Sequence, residues 1–243
     1  MDLKTPPPSS LDAYAELERS NAELSEFAYV ASHDLKEPLH KILAFADRLK
    51  PLVKEAPGPD YLERLTRSAE RMARLIDQVL ELARVTEPGR PLERVRLDDL
   101  LDEALADLEA QVEEACTTVR REPLPALRGD PEQLRRLMQN LVGNALKYRA
   151  LERPLRLRVA PCEAPERFVR FCVEDNGLGV PSPLRGRLFL PFQRLHGTRK
   201  PGSGIGLAIC RKIALRHGGD LSYEPGDPHG SRFVVTLPTP YGG

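Results

Sequence analysis

The chain has 243 residues, of which 30% are charged and 41% hydrophobic, and 36 basic residues balance 36 acidic ones. This composition is typical of a soluble globular protein, and the zero formal net charge argues against nucleic acid as a partner. No apolar run approaches the ~20 residues of a membrane-spanning helix, so no membrane segment is expected in this chain. Residues 1–10, MDLKTPPPSS, lack the apolar core of a secretion signal and are predicted to be a flexible lead-in.

The cysteines offer no framework for zinc or disulfides. They form no Cys-x-x-Cys pair and no cluster with histidine: Cys116, Cys162, Cys172 and Cys210. This spacing favours a reducing, cytoplasmic environment.

A seven-residue repeat of mostly apolar positions runs from about residue 11 to residue 50. One set of positions is Leu17, Leu24, Ala31, Pro38 and Phe45, and the set four residues later is Asn21, Ala28, Leu35, Ile42 and Leu49. The repeat predicts a helix whose a and d positions pack against other helices. Pro38 is expected to bend this helix, because proline removes a backbone donor and clashes with the preceding turn.

A second helix is predicted over residues 60–86, after the Pro- and Gly-rich turn of residues 51–60. Its apolar stripe comprises Leu62, Leu65, Ala69, Met72, Ile76, Val79 and Ala83. Two such helices cannot bury both stripes by themselves. We therefore predict a homodimer through residues 11–86, in which two helical hairpins form a four-helix bundle.

The pattern changes to mixed α and β after residues 87–91, which predicts a boundary between a domain at 11–87 and a second at 91–243. Strands are predicted at 92–97, 155–160, 168–175, 221–225 and 232–238, and helices at 97–116, 130–148 and 205–216. Asp130 followed by Pro131 is a strong helix start. The economical fold is an α/β sandwich, with helices over one mixed sheet.

Three polar residues share one face of the predicted helix over 130–148. Asn140, Asn144 and Lys147 are spaced i, i+4 and i+7. An amide oxygen is a ligand that Mg²⁺ accepts, and a lysine ammonium binds phosphate. A solvent-exposed helix face has the same spacing, so this helix alone leaves both interpretations open.

Two glycine-containing segments follow. In VEDNGLGV, the carboxylate of Asp175 at a strand end could accept a hydrogen bond from an adenine amino group, while Gly177 and Gly179 let the backbone pass close to the ring. In GSGIGLAIC, the alternate glycines would let backbone N–H groups approach phosphates at a helix start: Gly202, Gly204 and Gly206. β-turns and ordinary helix starts produce similar patterns, so neither segment is decisive alone.

In this order, the three segments resemble the GHKL family of ATP-binding domains, over roughly residues 91–243. NLVGNALKY resembles its N box, DNGLG and GSGIGLA its two glycine boxes, and LFLPFQRL the phenylalanine-containing box of histidine kinases. The resemblance implies that ATP and Mg²⁺ bind here, with Asn144 as the metal ligand. It adds Tyr148, Phe192 and Leu207 to the candidate nucleotide-binding residues, with Arg194 or Arg199 as lid cations.

The position of Asn140 bears on the reaction. In the hydrolytic members of the family that the chain resembles, a glutamate four residues before the metal-binding asparagine activates water. Here that position is Asn140. Because an amide cannot act as this base, phosphoryl transfer is favoured over ATP hydrolysis.

The segment FAYVASHDLKEPLHKI resembles the H box of histidine kinases, with His33 as the phosphorylated residue. With Ala31 at heptad position d, His33 falls at the outermost position, f, which a separate ATP-bearing domain could reach. Asp34 is expected to accept a hydrogen bond from the second ring nitrogen and so to stabilise the developing positive charge. His40, on the same outer stripe, lacks an acidic neighbour.

Glu37 departs from the pattern of this family, which often has Thr or Asn four residues after the histidine to position water for dephosphorylation. An ionised carboxylate accepts hydrogen bonds but cannot donate them. The resemblance implies phosphotransfer to the receiver domain of a response regulator. The sequences of the motifs are most similar to those of kinases with phytochrome- or PAS-type sensors. A phosphatase-biased module and, third, a GHKL ATPase remain alternatives.

Overall fold

The computed structural model describes residues 35–36, 39–55, 57–84, 91–193, 204–226 and 228–239. It divides the chain into two compact units, Met1–Glu87 and Pro88–Gly243. Within the described ranges, no helix combines the length and the hydropathy that crossing a bilayer requires.

In the first unit, two antiparallel helices form a hairpin. Helix α1 covers residues 39–49 and helix α2 covers Gly58–Arg84. The direction follows from Lys36, whose Nζ lies 2.5 Å from Asp77 Oδ1 near the far end of α2. The buried contact between the helices consists of Leu39, Ala69, Ile76 and Leu80, with Leu43 and Ala73 packed against it.

Several of the predicted heptad positions of α1 do not pack against α2. Ile42 and Phe45 are exposed, the latter by 61%, as are Leu35 and Leu49. The predicted stripe of α2 also separates into two rows, because Leu62, Ala69 and Ile76 are buried whereas Leu65 and Met72 are about half exposed. Both rows belong to the predicted stripe, and only one of them is buried within the hairpin. A helix in a bundle has two neighbours, and each apolar row faces a different one.

The second unit contains a five-stranded mixed sheet in the order β2-β4-β5-β7-β6 and a two-stranded sheet of β1 and β3. The strands are β1 (Glu93–Arg96), β2 (Thr118–Arg121), β3 (Ala126–Gly129), β4 (Arg156–Cys162), β5 (Phe168–Asp175), β6 (Asp220–Pro225) and β7 (Ser231–Pro238). Only β2 and β4 are parallel among these pairs. The predicted pairing of the strands at 155–160 and 168–175 is confirmed.

In the described part of this unit, four α-helices accompany the sheets: α3 (Leu97–Asp107), α4 (Glu109–Glu114), α5 (Pro131–Lys147) and α6 (Gly206–Arg216), with a 3₁₀ helix at Ser182–Arg187. Helix α5 packs against α3, α6 and β5, and its buried side is apolar. Phe171 and Val173 of β5 belong to the same core, whereas Glu174, one residue on, points to the opposite face and pairs with Arg158. The predicted fold class, a helical hairpin followed by an α/β sandwich, is confirmed. Dimerisation of the hairpin stays a prediction.

The single helix predicted over residues 97–116 was wrong. The chain leaves helical geometry at Leu108, between α3 and α4. Helix α3 buries an apolar stripe, whereas α4 has no buried residue, so the break occurs where the stripe ends. Strands β2 and β3 were not predicted, because four residues are too few for a clear alternation.

The predicted start of α5 is confirmed. Asp130 Oδ1 accepts hydrogen bonds from the N–H groups of Glu132 at 3.1 Å and Gln133 at 3.2 Å, and Pro131 occupies the first turn. The cap satisfies two backbone donors that no helical carbonyl can reach.

We predict that Gly143→Ala stabilises the second unit. Gly143 lies inside α5, where glycine costs about 0.5–1 kcal/mol relative to alanine, and a Cβ built there meets no atom within 4 Å. Urea denaturation should therefore give a free energy of unfolding higher by about that amount. The reverse change at a buried position of the same helix, Ala145→Gly, should lower it by at least ~1 kcal/mol. A less stable Gly143→Ala variant would contradict the open space beside this residue.

Candidate functional site

The polar face of α5 is more than a solvated surface. Asn140, Asn144 and Lys147 are each half-buried. Nδ2 of Asn144 is buried and has no hydrogen-bond partner, while Nδ2 of Asn140 donates to the Arg136 carbonyl at 3.1 Å. A buried amide without a partner is costly in a folded protein, and a bound ligand is one way to satisfy it.

Asn140 connects this face to the second glycine segment. Its Oδ1 lies 2.8 Å from the point where a Cβ on Gly206 would sit. Gly206 is the first residue of α6, so the absence of a side chain lets the start of one helix approach the middle of the other. The first N–H groups of a helix have no intrahelical acceptor and carry the positive end of its dipole, which suits them to phosphate.

The last turn of α5 contacts the first glycine segment. The N–H of Leu178 donates to the Tyr148 carbonyl at 3.0 Å, and a Cβ on Gly177 would lie 2.6 Å from the same oxygen. Lys147 Nζ lies 4.6 Å from the centre of the Tyr148 ring, in a cation–π contact. One helix therefore brings both glycine segments together.

Arg153 holds the first glycine segment from its other side. Its Nε donates to the Asn176 carbonyl at 2.9 Å, and its Nη2 donates to the Gly177 carbonyl at 3.1 Å. The Asn176 side chain in turn accepts from the Arg156 N–H at 2.8 Å. No sequence motif indicated Arg153, since an arginine in a turn belongs to none of the three segments.

Asp175 is a buried acid, 8% exposed. Its Oδ1 accepts the N–H of Gly177 at 2.7 Å. Burial raises the pKa of Asp175 to about 6, because it penalises the charged form more than hydrogen bonds from Gly177 and Ser231 favour it. A desolvated carboxylate acceptor suits the amino group of an adenine ring, the role that the sequence predicted.

The remaining candidates fall into two groups. Gly179 and Gly204 have positive φ angles, and a Cβ on either would clash with the carbonyl oxygen of Gly230 or of Gln193, respectively. Leu207 is half-buried in the first turn of α6. Phe192 also has a positive φ, +62°, and is exposed. Six predicted residues lie outside the described ones: His33, Asp34, Glu37, Arg194, Arg199 and Gly202.

The side chains at this site fit a metal ion that is coordinated mainly by phosphate oxygens of the nucleotide and by few protein atoms. In the described part of the chain, no three acidic, histidine or cysteine side chains form a metal-binding group. Mg²⁺ in phosphate-transfer sites commonly takes few protein ligands and completes its shell with phosphate oxygens and water. Oδ1 of Asn144 is the atom that could serve as such a ligand, while its buried Nδ2, which has no partner, could donate to a phosphate oxygen.

Two family models match the chain. The model described as "Histidine kinase-, DNA gyrase B-, and HSP90-like ATPase" matches residues 129–241. The model described as "His Kinase A (phospho-acceptor) domain" matches residues 23–88. The first match contains all three nucleotide-site segments, and the second contains His33.

Similar proteins include cyanobacterial phytochrome A of Nostoc sp., 37% identical over 228 residues, or 92% of this chain and 29% of the relative. Phytochrome-like protein Cph1 of Synechocystis sp. is 35% identical over 227 residues, or 91% of this chain and 30% of the relative. The chain thus spans under a third of the length of these curated relatives.

Two solved structures resemble the fold. Full-length ShkA in complex with AMPPNP has a TM-score of 0.67 at 26% identity, over 88% of this chain and 45% of that one. The mycobacterial sensor histidine kinase MprB has a TM-score of 0.52 at 27% identity, over 60% of this chain and 97% of that one.

We predict a pH-dependent stability that originates from Asp175. Its folded-state pKa of about 6 lies above the ordinary value of 3.8, so its contribution to stability is complete below pH ~4 and is lost as the pH rises through about 6. Between pH 7 and pH 4.5, the free energy of unfolding of the wild type should increase by about 1–3 kcal/mol relative to Asp175→Asn. Urea denaturation without nucleotide measures this difference. If it does not change with pH, the carboxyl group is not buried as described.

Proposed function

We propose that this chain, which belongs to the sensor histidine kinases, transfers the γ-phosphate of ATP to His33 and then to an aspartate of a response regulator receiver domain. One observation carries the nucleotide part of the proposal: α5 contacts both glycine segments, through Asn140 with Gly206 and through Tyr148 with Gly177. The match of the phospho-acceptor model to residues 23–88 supports His33 as the acceptor.

Each side of the nucleotide has its own residues in this proposal. Asp175 accepts the adenine amino group, and the N-terminal amides of α6 at Gly206 and Leu207 bind phosphate. Asn144 holds Mg²⁺, which when bound offsets the phosphate charge. Lys147 adds a positive charge on the same face of α5, and Arg194 or Arg199 does so from the segment before Gly204.

The histidine reacts as a neutral imidazole. One ring nitrogen attacks the γ-phosphorus, a nitrogen–phosphorus bond forms, and the bond from phosphorus to the ADP oxygen breaks. Asp34 accepts a hydrogen bond from the other ring nitrogen and stabilises the positive ring. The phosphoryl group then passes from His33 to the aspartate carboxylate, which restores the neutral histidine.

Asn140 favours transfer to protein over transfer to water. Its Nδ2 is engaged with the Arg136 carbonyl, and its Oδ1 faces Gly206. An amide in this position has no basic group to activate water. A GHKL ATPase is therefore the weaker alternative, and a phosphatase-biased module, for which Glu37 is the relevant residue, is tested together with the kinase below.

We also propose that the hairpin is half of a homodimer formed through residues 11–86 and that the reaction takes place in the cytoplasm. Met72 of α2 and Phe45 of α1 lie on apolar rows that the hairpin leaves exposed. A closed two-fold assembly would bury both rows at once. The four cysteines, all free, are compatible with a reducing compartment.

The test of the nucleotide site is Asn144→Ala. The substitution removes an amide that has no protein partner, so the fold should persist while the affinity for Mg²⁺ and AMPPNP falls at least ~tenfold. Calorimetric titration measures this affinity. Gln139→Ala, on the same helix but bonded to Asp107 of α3, is the matched control and should bind as the wild type does. Unchanged binding by Asn144→Ala would remove this residue from the site.

The test of the acceptor is His33→Gln beside His40→Gln. The first variant should bind nucleotide but acquire no acid-labile phosphate from radiolabelled ATP. The second should be labelled normally, because His40 lacks the acidic neighbour of His33. Acid-labile label on His33→Gln would contradict the assignment. If the wild type is never labelled but accelerates loss of phosphate from a phosphorylated regulator, the phosphatase-biased alternative is correct.

The homodimer should appear in light scattering at micromolar concentration as about twice the 27.2 kDa of the chain. Met72→Glu places a charge on the exposed apolar row of α2 and should shift the protein towards monomer. His40→Glu adds the same side chain at the outer position of α1 and should leave the dimer intact. A monomeric wild type would contradict the dimer.

A further inference from the structure

Helices α5 and α6 run antiparallel and contact each other at successive levels. At the end proposed to bind nucleotide, Asn140 Oδ1 lies 2.8 Å from the point where a Cβ on Gly206 would sit, so a side chain there would displace the Asn140 amide. One turn further along, the thiol of Cys210 donates to the Leu137 carbonyl at 3.7 Å. The two helices are therefore paired in a definite register, in which rising residue numbers along α6 match falling residue numbers along α5.

His217, the residue after α6, makes the contact at the far end. Its Nε2 accepts the backbone N–H of Asp130, the N-cap of α5, at 3.0 Å. Its Nδ1 lies 2.8 Å from the Ile213 carbonyl. Because a carbonyl can only accept, Nδ1 carries the hydrogen and Nε2 is unprotonated. The ring is a neutral imidazole, 7% exposed, that links the two helices.

The cap of α5 depends on this imidazole. In a capping box, the side chain three residues after the N-cap would accept the N-cap N–H. That residue is Gln133, but its Oε1 is buried and has no hydrogen-bond partner. The acceptor for the Asp130 N–H comes instead from the residue after α6, so His217 ties the start of α5 to the end of α6.

We propose that His217 is a positioning residue for nucleotide binding, which sets the axial register of α6 against α5. Asp130 and Asn140 are ten residues apart on α5, and Gly206 and His217 are eleven residues apart on and just after α6. At 1.5 Å per residue these spans are about 15 and 16 Å, so the two end contacts match in length. A shift at His217 is transmitted along both helices to the gap between Asn140 and Gly206. This inference rests on the proposed nucleotide site.

Protonation would reverse the contact, because an Nε2–H would then face the Asp130 N–H. Burial lowers the pKa of His217 below its ordinary value, and the charge of Arg216 acts in the same direction. The hydrogen bond to Ile213 and the carboxylate of Asp130 oppose this shift. Gly129 of β3, on which a Cβ would lie 3.2 Å from Cδ2 of the ring, carries no charge. Nucleotide affinity should therefore weaken as acidification protonates the ring.

The test is calorimetric titration of the full chain with ADP from pH 5 to pH 8. In His217→Gln the amide oxygen can accept the Asp130 N–H but does not titrate, so affinity at pH 7.5 should stay within about threefold of the wild type. The part of the acid-induced weakening that His217 causes should be absent from this variant. Titration of ADP and of Asp175 is common to both proteins and cancels in the comparison. His217→Leu lacks the acceptor and should bind roughly tenfold more weakly at every pH.

Gln133→Met is the matched control, because it replaces a buried polar side chain beside the same cap without touching the Asp130–His217 bond. It should keep the wild-type pH profile. The titrations are run at a temperature at which urea denaturation shows every variant to be folded. A loss of affinity then does not reflect unfolding. The inference about His217 would be overturned, with the proposed function unaffected, by either of two results. One is that His217→Gln loses affinity for ADP on acidification as much as the wild type does, and the other is that folded His217→Leu binds ADP with wild-type affinity. No ADP binding by the wild type would overturn the proposed function as well.

Discussion

The nucleotide site depends on how closely two helices approach each other. Helix α6 begins against the side chain of Asn140, whose Oδ1 lies 2.8 Å from the point where a Cβ on Gly206 would sit. This contact places the first N–H groups of one helix beside the polar face of the other helix. Neither helix would form a phosphate site separately: α6 would provide amides without a metal ligand, and α5 would provide Asn144 and Lys147 without the amides. The packing of α5 on β5 then fixes the pair relative to the sheet.

The site also contains polar groups that the protein alone leaves in unfavourable surroundings. The Asp175 carboxylate is buried deeply enough to raise its pKa to about 6, and Nδ2 of Asn144 is buried without a partner. Packing and hydrogen bonding satisfy most buried polar groups in proteins, so such exceptions are commonly functional. Arg153 and the Tyr148 carbonyl restrain the loop after Asp175. The acid is thereby held ready for a ligand, at a cost to the stability of the unliganded chain.

The hairpin illustrates how far a periodic pattern can be interpreted. Heptad spacing predicted two helices, and α2 is found at Gly58–Arg84, within two residues of the predicted bounds. The same spacing could not say which apolar row meets which neighbour. Leu39 and Ile76 pack within the hairpin, whereas Phe45 and Met72 remain exposed. Rows that differ by a fraction of a helical turn look alike in sequence, and only the packed geometry separates them.

The sequence by itself determined the fold class, the N-cap at Asp130 and the segments proposed to bind nucleotide, because capping, periodicity and glycine placement are local properties of the chain. It could not determine what those segments contact. Residues far apart in sequence, such as His217 and Asp130, meet only after the sheet and helices have packed. The same is true of Arg153, whose guanidinium finds the carbonyls of the glycine loop across a turn. The buried state of Asp175 is likewise a property of its surroundings, since a carboxylate acquires a raised pKa only when neighbouring atoms exclude water from it.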